Sequence, residues 1–251
     1  MAPYQESELR RLADVPTIRM IDLWHSLCNK LLGRSIEVVV DNRRNNPELR
    51  SSPHEVNMAR PAGYKGKVVL SVWLESFPNL KLLVVAHEIG HWVLYLQGFR
   101  AIFCDPRNLA LEGLLNSLAS HVPLYALQRS VGHDPQVEID SRCDHDIRLF
   151  SGPNTVDELS SALCLADDLL NCSFKKRPQL KWILRKNYPE TLELVERIVA
   201  IASDHNLLNP EQNIAFRRRL IKEMKLEGAW TESDNVNSIK DLILEVEGRG
   251  S

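Results

Sequence analysis

Between positions 80 and 96 the chain is apolar apart from Lys81 near its start and three polar residues at its centre, His87, Glu88 and His91. The run is too long for an ordinary strand and predicts a buried helix. Ser76 or Asn79 can cap it, Pro78 suits its first turn, and Gly98 ends it. Upstream, Ile18, Ile21, Trp24, Leu27, Leu31 and Leu32 fall at helical spacing over 17–32, and Gly33 provides a C-terminal stop. The β-branched run 36–40 predicts a strand. Two more are predicted at 56–59 and 67–73, with 63–66 as a turn. Beyond Asp105 the pattern is helical throughout. Asp105 and Pro106 open a helix to about 122, where Pro123 predicts a kink or restart. Further helices are predicted at 135–150, 156–172, 180–186, 189–203, 210–224 and 238–246, with Thr155 and Glu158 as a capping box. The fold class is therefore α+β, with strands confined to the first part. The Gly152-Pro153 step divides the chain into domains 1–151 and 152–251, the second a helical C-terminal extension.

Composition narrows the function classes. A chain of 251 residues with 44% hydrophobic content can bury a sizeable core, and its net charge of -2 gives no reason to expect nucleic acid or a membrane as a partner. The clusters Lys175-Lys176-Arg177 and Arg217-Arg218-Arg219 read as solvated helix ends and faces. The first fifteen residues lack the apolar core of a secretory signal, and no apolar stretch reaches the roughly 18 residues of a membrane span. Five cysteines without paired spacing read as reduced thiols, and the expected location is cytoplasmic.

The chemistry lies in His87-Glu88-Ile89-Gly90-His91. Residues four apart share a helix face, so His87 and His91 can direct two imidazoles at one metal ion. Glu88 is turned about 100° from His87 and can serve the ion's water without ligating the ion. Two imidazoles and an adjacent carboxylate are what a zinc hydrolase requires. A core histidine pair with internal hydrogen bonds is the inert alternative. Without partners, those polar groups would cost several kcal/mol to bury.

A catalytic Zn2+ takes three protein ligands and keeps one open position. The third donor can come from Glu112, His121 or, less well, His133. Glu112, Asn116 and Ala119 share one stripe of the helix that follows, whereas His121 lies about half a turn away from Glu112. The order of elements, the His87-to-His91 motif, and Glu112-Gly113-Leu114-Leu115-Asn116 with Ala119 together resemble the ImmA/IrrE-type bacterial metallopeptidases, compact gluzincins. Leu115 stands where that family's second motif has alanine. The resemblance covers roughly 17–127. It implies a zincin-like core, a small antiparallel or mixed sheet packed on the motif helix, with Glu112 as third zinc ligand. It also implies that the 67–73 strand is the sheet edge on which a peptide adds.

The expected function is thus a zinc metallopeptidase with Glu88 as general base, acting on a peptide or protein. His121, Tyr125 or Tyr64 would help stabilise the oxyanion. The alternative is a non-catalytic, zinc-stapled regulatory module. In either case the C-terminal helices are available for a homo-oligomer or a partner protein.

Overall fold

The structure, a computed structural model, describes residues 2–46, 57–104, 109–152, 157–226 and 228–248. Among these residues there are ten α-helices and five strands, and the fold is α+β and mostly helical. Two compact units form. One comprises Met1–Gly98, Leu127–His133 and Asp234–Ser251, the other Phe99–Ala126 and Asp134–Ser233. This division differs from the expected one at 151/152, because the chain crosses between units several times and its last helix belongs to the first unit. None of the described helices is long and apolar enough to cross a membrane.

The first unit contains α1 (Glu6–Leu12), α2 (Val15–Leu32), β1 (Val38–Asn42), β2 (Met58–Tyr64), β3 (Lys67–Leu74) and α3 (Leu82–Leu96). β1 pairs parallel with β3, and β2 pairs antiparallel with β3, giving a mixed sheet in the order β1-β3-β2. Alternate residues Val68, Leu70, Val72 and Leu74 join Met20, Ile21, Trp24 and Cys28 of α2 and Val85, Ala86, Ile89 and Val93 of α3 in one core. The Trp24 indole, fully buried, donates to the Ile36 carbonyl at 2.7 Å. Asp14 caps α2, and Gly33, at φ 70°, ends it as expected.

Several boundaries move. β1 starts two residues late. β2 runs through Gly63 to Tyr64, because the reversal is made by Lys65 and Gly66 alone, at φ 49° and 77°, a two-residue turn whose twist suits a hairpin. Ser76 and Asn79 bond each other in a turn ahead of α3, and Lys81 occupies the cap position. The expectation that β3 is a peptide-accepting edge is corrected: β3 is the central strand, hydrogen-bonded on both sides. The outer strands are β1, which Tyr4 bridges at Val40, and β2. On β2 the Ala59 carbonyl is taken by the Trp92 indole at 2.6 Å, and Pro61 has no N–H to offer.

The second unit is built from β4 (Ile102–Cys104), most of α4 (Leu109–Val131), α5 (Gln136–Leu149), α6 (Glu158–Asn171), α7 (Lys176–Asn187), α8 (Pro189–Ser203), α9 (Pro210–Glu223) and β5 (Trp230–Glu232). β4 and β5 pair antiparallel, so the second half is not wholly helical. α6 is capped by Asp157, which accepts the Ser160 N–H; the predicted caps Thr155, Asp105 and Pro106 lie outside the described residues. The last helix, α10 (Asn235–Gly248), packs on β2 and β3 of the first unit.

α4 does not break at Pro123. Proline removes the N–H that would bond the carbonyl four residues earlier, that of Ala119. The buried amide of Asn213 on α9 takes over that carbonyl at 2.6 Å and also donates to Leu207. Asn213→Ala should therefore destabilise the chain by about 1–3 kcal/mol. In a Pro123→Ala background, where the helical N–H returns, the loss should be smaller by about 1 kcal/mol. A double-mutant cycle by urea unfolding measures this coupling, and strict additivity would remove it.

Candidate metal centre

α3 presents its polar residues on one side because its other side is committed to the core. Val85, Ala86, Ile89, Gly90 and Val93 are buried, while His87, Glu88, His91 and Trp92 are half-buried on the opposite face. The imidazoles of His87 and His91 stand one turn apart, with ring centroids separated by 4.9 Å and planes at 82°.

The last turns of α4 make a contact within the first unit. The Gln128 amide donates to the Leu83 carbonyl at 3.4 Å, bringing the last turns of α4 beside the first turn of α3. Seven residues before Gln128, about 10 Å back and on nearly the same face, α4 carries His121. Four and eight residues after Leu83, α3 carries His87 and His91. The ligating atoms of His87, His91 and His121 all lie within 4.8 Å of one another, and this group could hold a metal ion.

Glu112 is not in that group. Nine residues before His121 and half a turn round the helix, its carboxylate accepts the Cys104 N–H at 2.8 Å. Asn116, on the same stripe, donates to the Ile102 carbonyl and accepts its N–H, both at 2.9 Å. The two residues that carried the second family motif thus hold β4. His133 belongs to another contact, its Nε2 lying 3.1 Å from the Thr17 hydroxyl. Tyr64 is bonded by Gln5 at 3.3 Å. Tyr125 stacks on His121, with ring centroids 5.2 Å apart and planes at 26°.

Sequence reasoning missed the residues around His121. Its Nδ1 lies 2.6 Å from Asp167 Oδ2 on α6. Arg142 of α5 donates to the same oxygen at 2.9 Å, to Asp168 at 2.7 Å and to the Tyr125 hydroxyl at 3.3 Å. Asn171 donates to Asp167 Oδ1 at 2.7 Å. Burial opposes the charge of Asp167, but His121 first, then Arg142 and Asn171, outweigh it and hold the carboxyl below its ordinary range. Burial drives the neighbouring Asp168 the other way, helped by Asp146 and opposed by Arg142. The available signal was Asp167-Asp168, two adjacent acids in the otherwise apolar middle of α6.

A scan against models of known protein families, a search of curated proteins and a search of solved structures each returned no match to this chain.

A second polar cluster lines a cavity of about 440 Å³ in the first unit. His25 Nε2 contacts the Glu6 carboxylate at 2.7 and 2.9 Å, and its Nδ1 is paired with the Ser35 hydroxyl. Glu6 also accepts from Arg10 at 2.7 Å and from the Val38 N–H at 2.9 Å, which ties α1 to β1. Burial works against the Glu6 charge, yet these donors hold its pKa at about 2, against an ordinary 4.5. A depressed folded-state pKa gives stability that is present above the unfolded value and lost as pH falls through the folded one. Stability should therefore decline between about pH 4.5 and 2, and Glu6→Gln should flatten that decline in denaturant titrations across this range.

Proposed function

We propose that this chain is a zinc-dependent metallopeptidase in which His87, His91 and His121 hold Zn2+ and Glu88 is the general base. The observation that carries the reading is the convergence of three imidazoles within 4.8 Å, with a carboxylate on the residue next to the first. The donor set fits. Imidazole nitrogen is a preferred zinc ligand, and three protein ligands leave one position open. Three donors this close to one another would hold Zn2+ after small side-chain adjustments. This reading keeps the likeness to ImmA/IrrE-type enzymes at the first motif and assigns the third ligand to His121 in place of Glu112.

When bound, the ion supplies a Lewis acid that polarises water and the carbonyl under attack. The protein's own residues do the rest. His87 and His91, fixed by the packing of α3, set the position of the site. Glu88 accepts the proton of the attacking water and returns it to the leaving nitrogen. A peptide or protein is the substrate class we assign, because this pairing of a metal site and a carboxylate suits hydrolysis of an amide. Strand addition at β3 contributes nothing to that assignment, since both sides of the strand are already paired.

The test uses the full chain, zinc-loaded, against a library of quenched fluorogenic peptides. Glu88→Gln should retain one zinc per chain and lose at least about 100-fold in turnover; His91→Ala should lose both metal and turnover. Undiminished cleavage by Glu88→Gln would remove Glu88 as base. Stoichiometric zinc without hydrolysis, together with melting on chelation in wild type and Glu88→Gln alike, would favour the zinc-stapled regulatory module.

A further inference from the structure

We infer that Asp167 is the positioning residue of the metal centre, orienting His121 toward the ion, and that Arg142 and Asn171 hold Asp167 in place. This inference rests on the His87, His91 and His121 ligand set proposed above. It is independent of whether the site cleaves anything.

Imidazole has two nitrogens, and only the one without a proton can ligate a metal. A carboxylate 2.6 Å from Nδ1 selects the tautomer with the proton there. Nε2 is then the nitrogen that can ligate the ion. Ring orientation is fixed as well, because Tyr125 lies stacked against the His121 face. His121 and Asp167 are both buried, so the hydrogen bond is not shared with bulk water.

The carboxylate itself has little freedom. Oδ2 receives His121 and Arg142, and Oδ1 receives Asn171 from one turn along the same helix. Arg142 is anchored in turn by Asp168 and the Tyr125 hydroxyl. As a device for stability alone this cluster is a poor choice, since buried ion pairs of this kind are often matched or bettered by apolar residues of similar volume. A carboxylate behind a metal-bound histidine typically changes metal affinity by about 10- to 100-fold, and that role accounts for the placement of Asp167.

The experiment measures Zn2+ affinity of the full chain by competition with a chromophoric chelator, with circular dichroism as the check on folding. Asp167→Asn should weaken zinc binding by about 10- to 100-fold. In a His121→Ala background the same change should have no further effect, because the ring that Asp167 orients is gone. Wild-type affinity in Asp167→Asn would overturn the inference. So would an equal loss in both backgrounds, which marks a merely structural role. If Asp167→Asn does not fold, Asn171→Ala removes one anchor from a half-buried position and should still weaken binding, by at least about twofold; unchanged affinity would overturn the inference. Failure of the underlying ligand set has a different signature. Zinc binding would then be absent in the wild type, or unaffected by His87→Ala and His91→Ala.

Discussion

Taking an imidazole or a carboxylate out of water costs several kcal/mol unless other groups replace the lost hydrogen bonds, and that cost organises the functional part of this chain. α3 is apolar for nearly its whole length and packs one face into the core. His87, Glu88 and His91 occupy its remaining face, half-buried and grouped where they can share partners. His121 meets the same requirement differently, through Asp167, and Asp167 meets it through Arg142 and Asn171. Each buried polar group thus calls for the next, and the chain of partners ends on Arg142, whose side chain is 36% exposed.

The same cost decides why α4 can be a single helix. A proline in mid-helix orphans one carbonyl, and an orphaned carbonyl in a buried helix is expensive. Asn213 removes that expense from outside the helix. Continuity through Pro123 matters because His121 and Gln128 lie on either side of it. Gln128 fixes its own end of the helix to Leu83, and His121 lies two turns back along the same helix. Had the helix restarted at Pro123, the register between those two residues would not be set.

The elements with strong periodicity were legible in the sequence. α2, α8 and α9 lie close to the positions that their apolar spacing and caps predict, and α3 needed only a shift of its first turn. Contacts distant in sequence were not legible. β4 and β5 are three residues each and pair across more than a hundred positions, so neither has enough alternation to stand out. β3 reads as a strand from composition, but its place at the centre of the sheet depends on β1 joining it in parallel from the far side. The motif on α3 was legible because one helical turn fixes the spacing of its histidines. The Asp167 network was not, since its members come from α4, α5 and α6, and only the fold brings them to one imidazole.

Glu112 illustrates how a polar stripe read from the sequence can find a different partner in the fold. A glutamate and an asparagine four apart on a helix form a polar stripe wherever they occur. Here that stripe meets the backbone of β4, and Asn116 satisfies both the donor and the acceptor of Ile102 as a neighbouring strand would. On the proposed ligand set the exchange of donors also alters the charge at the centre. Two imidazoles and a carboxylate leave a divalent ion with a net charge of +1, whereas three neutral imidazoles leave it with +2. Asp167 returns negative charge one hydrogen bond away from the ligand, without occupying a coordination position. That carboxyl is held below its ordinary range by His121 and Arg142 against the pull of burial.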